Sequence, residues 1–183
     1  RENKLEMPYV QEINFTFILS TIMAGLWYIT WSYKIYWLAT MCMIIYLVAL
    51  IIGYLRLDIN RKERPRKEKI AIIIPWSLYM GWVTAATIVS ITTFLVRIGF
   101  NDPPIFPESA WAVLILIVTG IIYLSVLITR DDYIFAGVGI WTLFGIVVER
   151  LTAPVLVFEV VITAVAGIVF LAGGIIYKII NNL

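Results

Sequence analysis

Three ionisable residues stand out in this 183-residue chain because long apolar runs surround them: Arg97, Glu149 and Glu159. A charged side chain at membrane depth is costly and normally faces another charge, water or the protein interior. The three residues therefore predict a buried ion pair, in which Arg97 meets Glu159 or Glu149. Two alternatives stay open: a proton or solute site, and a charge that reaches to the membrane surface.

The remaining reactive side chains are few. The chain has no histidine, which removes the commonest ligand of haem iron and catalytic zinc and the usual proton carrier near neutral pH. Its single cysteine, Cys42, cannot form a disulfide within this chain. No nucleotide-binding loop and no carboxylate pair at metal spacing is found. We therefore predict neither an enzyme nor a metal site.

The elements that position these residues follow from composition. Hydrophobic residues make up 62% of the chain and charged residues 14%, against about 45–50% and about 25% in soluble domains. A membrane-spanning helix needs about 20 mostly apolar residues. Six segments meet or approach that length: 13–31, 35–55, 70–96, 109–129, 133–148 and 154–180. The fold class is therefore all-α, a polytopic transmembrane bundle of six spans, without a signal peptide.

Basic residues are concentrated between the second and third spans. We call this set the basic cluster: Arg61, Lys62, Arg64, Arg66, Lys67 and Lys69. Lys and Arg accumulate in cytoplasmic loops, so the loop at 56–69 is predicted to be cytoplasmic. Six spans then place the segment 1–12 and the C-terminus in the cytoplasm and the 100–109 loop outside. The cluster also predicts contact with anionic lipids, an effect that Glu63 and Glu68 weaken.

The segment after the basic cluster combines a proline with small and aromatic residues. Pro75 is expected to open or kink the third helix. Ser77, Gly81 and Ala85 recur at every fourth position, a spacing that lets two helices approach closely. Trp76 and Tyr79 share another face, where an interfacial aromatic belt is the alternative to a binding surface. Trp82 is two turns further inward and is expected to pack or to line a cavity. Asp131 or Asp132 is expected to cap the fifth helix.

The segments "PWSLYMGWVTA" and "YIFAGVGIWTLFGI" resemble the tryptophan-rich sensory proteins of the TspO/MBR (translocator protein) superfamily. The resemblance covers about residues 70–150. It implies a five-helix core, with the first helix of this chain as an N-terminal addition. It also implies a pocket in the bundle for a tetrapyrrole, a sterol or another flat apolar ligand. The last helix lacks the family's tryptophan and asparagine pattern.

We therefore predict a single bundle over residues 13–180 in the cell membrane that binds a flat apolar ligand and senses or carries it. The predicted stacking surfaces are Trp76, Tyr79, Trp82, Trp111, Tyr123, Tyr133 and Trp141. Without histidine, a tetrapyrrole would be held by stacking alone. The expected partners are membrane lipids, this ligand and a second copy or a larger complex, with no nucleic acid. The alternative functions are a structural subunit of a membrane assembly and a small-solute transporter that uses the three ionisable residues.

Overall fold

A computed structural model of the chain describes residues 8–100 and 106–181, and these residues form helices without any strand. The six long helices are α1 (Pro8–Ser32), α2 (Tyr36–Arg56), α3 (Arg66–Arg97), α4 (Glu108–Arg130), α5 (Tyr133–Thr152) and α6 (Phe158–Asn181). Each is long and apolar enough to cross a membrane. The prediction of a polytopic helical membrane protein with six spans is thereby confirmed.

Most helix ends lie within a few residues of the predicted ones, with four larger differences. Helix α5 ends at Thr152, four residues after its predicted end at 148. Helix α1 begins at Pro8, inside the predicted N-terminal segment 1–12, of which residues 1–7 lie outside the described part of the chain. Helix α3 begins at Arg66, so the predicted loop 56–69 is shortened to residues 57–65. Helix α6 begins at Phe158 and not at Pro154, because the intervening residues form bends without helical hydrogen bonds.

The contacts between residues divide the chain into two compact units, which are described separately. Unit 1 is Arg1–Phe94 and contains α1, α2 and most of α3. Unit 2 is Leu95–Leu183 and contains α4, α5 and α6. The prediction of one bundle over residues 13–180 stays a prediction.

In unit 1, α1 packs along α2 as an antiparallel hairpin. Helix α1 ends in a Schellman motif, in which the backbone N–H of Lys34 donates to Trp31 and that of Ile35 donates to Thr30. Lys34 takes a φ of 60°, the left-handed conformation that this motif requires. The hydroxyl of Thr40 donates to the Ser90 carbonyl at 3.1 Å and so joins α2 to α3.

The N-terminal part of α3 departs from α-helical geometry directly before its proline. Residues Lys69–Ile73 form a π-helical segment, and the α-helix resumes at Ile74. Pro75 has no backbone N–H, and its ring would clash with the carbonyl four residues earlier, at Ala71. The wider π turn relieves that clash. The predicted interruption of the helix at Pro75 is therefore confirmed.

In unit 2, each of the helices α4, α5 and α6 contacts the other two. The link between α4 and α5 is short because Asp131 ends α4 and Asp132 begins α5. Asp131 has a φ of 52° and its N–H donates to the Leu127 carbonyl, whereas the side chain of Asp132 accepts from the Phe135 N–H at 3.0 Å. The predicted cap of the fifth helix is confirmed and assigned to Asp132.

Candidate functional site

Trp76 is a packing residue between α2 and α3. It is 6% exposed, and its indole N–H donates to the Leu50 carbonyl at 3.1 Å. The ring lies directly over Gly53, where an added Cβ would be 2.2 Å from Cζ2 of the indole. A position in a lipid-facing aromatic belt is thereby excluded for Trp76. Its predicted contact with a ligand stays a prediction.

The other two predicted aromatics of unit 1 differ in exposure. Tyr79 is half-buried, and its hydroxyl shares a hydrogen bond with the hydroxyl of Tyr46 on α2. Trp82 is 57% exposed, and the expectation that it packs or lines a cavity stays a prediction. On α3, the side chains of Trp76 and Tyr79 face inward, whereas that of Trp82, about one helical turn after Tyr79, faces outward. The small-residue positions Ser77, Gly81 and Ala85 are all buried, as expected of a close helix contact.

The four predicted aromatics of unit 2 differ in exposure. Trp111 is half-buried between Phe100 and Phe106, with ring centroids at 5.3 and 5.7 Å. Tyr133 is half-buried at the start of α5. Trp141 is 65% exposed on the same helix. None of the four lines either of the two cavities of unit 2 described below.

Tyr123 is the central core residue of unit 2. Its side chain is fully buried, its ring centroid lies 4.8 Å from that of Phe135, and it faces Gly139 of α5. A ring enclosed in this way fills the interior of the three helices. It supplies no open stacking surface, and its predicted ligand contact stays a prediction.

The concave surface that unit 2 does present is a groove between α4 and α6, which we call the α4–α6 groove. Its first part has a cavity volume of about 210 Å³ and its second of about 450 Å³, and Leu124 and Phe170 line both. The first part is lined by Leu116, Ile117, Gly120, Ile121, Leu124, Thr163, Ala166, Gly167, Phe170 and Leu171. The second part is lined by Leu124, Leu127, Ile128, Val169, Phe170, Gly173, Gly174, Tyr177 and Lys178.

Glycines give this groove its width. A Cβ added at Gly120 or Gly173 would meet no other atom within 4 Å, so both positions border open space. Gly167 and Gly174 are covered instead by leucines of the neighbouring helices: a Cβ there would lie 2.8 Å from Leu143 Cδ1 and 3.1 Å from Leu127 Cδ2. The walls are almost wholly hydrocarbon, because the hydroxyl of Thr163 already donates to a carbonyl of its own helix.

One end of the α4–α6 groove carries a charge that the sequence did not single out. The ammonium of Lys178, near the end of α6, lies 2.6 Å from a carboxylate oxygen of Asp131 and donates to the Ile128 carbonyl at 2.9 Å. Ile128 is in the last turn of α4, where carbonyls lack helical N–H partners and attract cations. Sequence reasoning missed this contact, since its partners are 50 residues apart.

All three residues of the predicted buried ion pair are exposed within the chain: Arg97, Glu149 and Glu159. The buried pair stays a prediction. Glu149 forms an ion pair with its neighbour Arg150. The Nη2 of Arg150 donates to the Glu149 carboxylate at 2.9 Å. Glu159 lies in the first turn of α6, because the helix begins four residues later than expected. A direct pairing of Arg97 with Glu159 stays a prediction.

Five members of the basic cluster are exposed: Arg61, Lys62, Arg66, Lys67 and Lys69. Arg64 is different, since its side chain is 6% exposed and donates to the Leu57 carbonyl at 2.9 Å, just after the end of α2. It also pairs with Glu68 at 3.4 Å. Arg64 therefore has a structural role at the end of α2, and its predicted contact with anionic lipid stays a prediction. Its pairing also offsets the negative charge of Glu68.

Comparison with known proteins gives one match. A family model described as TSPO-like protein matches residues 1–177. The match begins at residue 1, so it includes α1, which the five-helix assignment had set outside the core. Searches of curated proteins and of solved structures gave no match.

Proposed function

This chain belongs to the family of TSPO-like proteins, and on that premise we propose that it binds a flat apolar ligand in the α4–α6 groove and senses or carries it. The observation that carries the proposal is the groove itself, an open apolar concavity within one compact unit. Ligand pockets in proteins have volumes of about 300–1,000 Å³ and mostly apolar walls. The second part of the groove, at about 450 Å³, agrees with both criteria, whereas the first part, at about 210 Å³, agrees only with the second criterion.

The lining favours a rigid hydrocarbon ligand. Glycine at positions 120 and 173 leaves flat stretches of helix surface, against which a planar ring system can lie. A sterol or a lipid chain needs only such apolar contact, which in a lipid environment stabilises the complex through close van der Waals packing. A tetrapyrrole would have Phe170 and Tyr177 as its aromatic neighbours in the groove and no imidazole for its metal.

The proposal is tested by filling the groove. We expect Gly120→Leu to reduce saturable labelling of α4 and α6 by a photoreactive steroid hydrocarbon, measured on purified protein by peptide mass spectrometry. Gly145→Leu is the matched control, because Gly145 also borders open space but lies on α5, outside the groove lining. Gly173→Leu is a second groove variant, and thermal melting checks that each variant is folded.

Saturable labelling of α4 and α6 that is equal in wild type, Gly120→Leu, Gly173→Leu and Gly145→Leu would contradict the proposal. Loss of labelling in Gly145→Leu alone would place the ligand elsewhere. If the groove instead holds another protein chain, the steroid should label the wild type only weakly. The chain should then purify only together with obligatory partners. That outcome would support the alternative function, a structural subunit of a membrane assembly.

We further propose that the five exposed residues of the basic cluster contact anionic lipid head groups. Each basic residue near an anionic membrane surface contributes about 1 kcal/mol. Glu68 opposes this attraction less than the sequence implies, because the buried side chain of Arg64 pairs with it. The transporter alternative receives less support, since the exposed Glu149 already pairs with Arg150 and no buried charged group lines the groove.

A further inference from the structure

The segment that joins α5 to α6 exposes apolar side chains although it is not helical. We call residues 153–157 the α5–α6 link. Val155 and Leu156 are 71% and 53% exposed, and Phe158, the first residue of α6, is 63% exposed. Ala153 and Val157 are half-buried instead. The link therefore has an inner side, which packs within unit 2, and an apolar outer side.

Pro154 determines where α5 stops and the link begins. The residue before a proline avoids helical geometry, and Ala153 is extended, with a φ of −69° and a ψ of 150°. The hydroxyl of Thr152 lies 3.0 Å from the Val148 carbonyl and 3.1 Å from the Glu149 carbonyl, to which it donates. These carbonyls belong to the last turn of α5, which has no further helical N–H groups to bind. Local contacts thus fix the helix end and the path of the link.

Both neighbouring helices bring an exposed apolar stripe up to the link. Along α5 the exposed large side chains recur three or four residues apart, so they share one face: Trp141, Phe144, Val148 and Leu151. Along α6 the same spacing is found for Phe158, Ile162, Val165 and Val169. Acyl chains are as apolar as such side chains and accommodate them. Because the link joins two spans, it lies at one surface of the membrane, where these stripes end.

Two features limit how far the link can enter the membrane. Its backbone is not helical, and lipid-exposed backbone of that kind is not found in the hydrocarbon core, because its N–H and C=O groups would lack partners. The exposed carboxylates of Glu149 and Glu159 flank the link, and charge is costly at membrane depth. The backbone therefore belongs among the head groups, and only the outer side chains can reach the acyl chains.

We propose that the α5–α6 link is an interfacial anchor, in which Val155, Leu156 and Phe158 insert between the head groups and the acyl chains of one leaflet. The partner is the phospholipid itself, without selection of a head group, because these three side chains carry no charge. Interfacial segments enter to a depth of about 5–10 Å. None of the three residues lines the α4–α6 groove, so the anchor does not depend on a ligand there. Its effect is to hold the ends of α5 and α6 at a fixed depth.

The test places an environment-sensitive fluorophore on single cysteines of the whole chain, in a background without Cys42, after reconstitution into phosphatidylcholine vesicles. Leu156→Cys reports on the link. Lys62→Cys, exposed in the loop between α2 and α3, is the aqueous reference. Phe144→Cys, exposed near the middle of α5, is the reference for the hydrocarbon core.

We expect the label at position 156 to emit at a shorter wavelength than the label at position 62. Lipids with a nitroxide near the head group should quench it more strongly than lipids with a nitroxide near the chain end. The label at position 144 should show the reverse order, because it lies at the depth of the acyl chains.

A second variant tests whether the exposed phenylalanine contributes to the anchor. Phe158→Ala should reduce the quenching of the position-156 label by the head-group nitroxide, because the link loses its largest apolar side chain. Phe170→Ala is the matched control, since it also removes an exposed phenylalanine from α6 but lies about three turns away. An equal reduction in both variants would remove Phe158 from the anchor.

Three results would overturn the proposal. Emission of the position-156 label at the wavelength of the position-62 label would place the link in water. Short-wavelength emission without quenching by either nitroxide lipid would show that protein covers the link. Stronger quenching by the chain-end nitroxide would place the link in the hydrocarbon core. Should Leu156→Cys fail to fold, as judged by thermal melting, Val155→Cys takes its place with the same expectations.

Discussion

Substitution of Gly139 by alanine gives a sharp test of the core of unit 2. A Cβ at this position would lie 2.5 Å from Cγ of Tyr123, 2.8 Å from Cδ1 and 2.9 Å from Cδ2. Ordinary contact begins at 3.4 Å, so the ring would have to move by about 1 Å. Tyr123 is fully buried and has Phe135 beside it, so the ring has little room to move.

The magnitude follows from two opposed terms. Overpacking of a well-filled core costs about 1–3 kcal/mol. Replacing glycine by alanine in a helix gains up to about 1 kcal/mol. With the full gain, the net destabilisation of Gly139→Ala is therefore about 0–2 kcal/mol. Gly137→Ala, two residues earlier on α5 and bordering open space, obtains the gain without the clash. The difference between the two variants isolates the clash at about 1–3 kcal/mol.

The assay is equilibrium unfolding of the purified protein in mixed micelles of increasing SDS fraction. Tyr123→Leu completes a double-mutant cycle, because a smaller side chain leaves room for the new methyl group. In that background Gly139→Ala should behave like Gly137→Ala, and the coupling free energy should be about 1–3 kcal/mol. If Gly139→Ala and Gly137→Ala unfold within about 0.5 kcal/mol of each other in the wild-type background, the described packing of α4 against α5 is wrong.

Three further predictions concern topology, lipids and charge. In a background without the native cysteine, Lys62→Cys should resist an impermeant thiol reagent applied to intact cells and Phe106→Cys should react; the reverse pattern would invert the proposed orientation. Lys62→Gln combined with Lys67→Gln should weaken anionic-lipid binding, measured by native mass spectrometry, by about 2 kcal/mol or thirtyfold; an equal loss in Lys34→Gln would remove the basic cluster as the cause. Glu159→Gln should change stability by less than about 0.5 kcal/mol, because the side chain is exposed; a loss above 1 kcal/mol would indicate a partnered charge.

The number and position of the spans could be predicted because length and hydropathy alone determine them. The fourth span was predicted at 109–129 and α4 is Glu108–Arg130. The start of α6 was not predictable in the same way, since Val155, Leu156 and Val157 continue the apolar run although they are not helical. Hydropathy reports where the membrane is, whereas helix ends depend on local hydrogen bonds.

The site was less accessible to sequence reasoning than the fold. Aromatic residues could be identified by type, but their direction depends on helix packing, which buries Tyr123 and leaves Trp141 exposed. The sequence showed that the basic cluster is dense in positive charge. It did not show that the side chain of Arg64 is directed into the loop, because that direction depends on the conformation of the loop backbone. Lys178 meets Ile128 across 50 residues, and no local pattern announces such a contact.

The π-helical segment Lys69–Ile73 affects how α3 responds to force. At 1.5 Å per residue the 32 residues of α3 extend about 48 Å, whereas the hydrocarbon core of a bilayer is about 30 Å thick. A uniformly stiff rod of that length would transmit any push on its exposed end to its packed portion. The five residues with wide turns end at Ile73, two positions before Pro75, and we infer that they form a compliant joint between the two portions. The end that carries Arg66 and Lys67 can therefore change its angle to a membrane surface while the indole of Trp76 keeps its bond to Leu50.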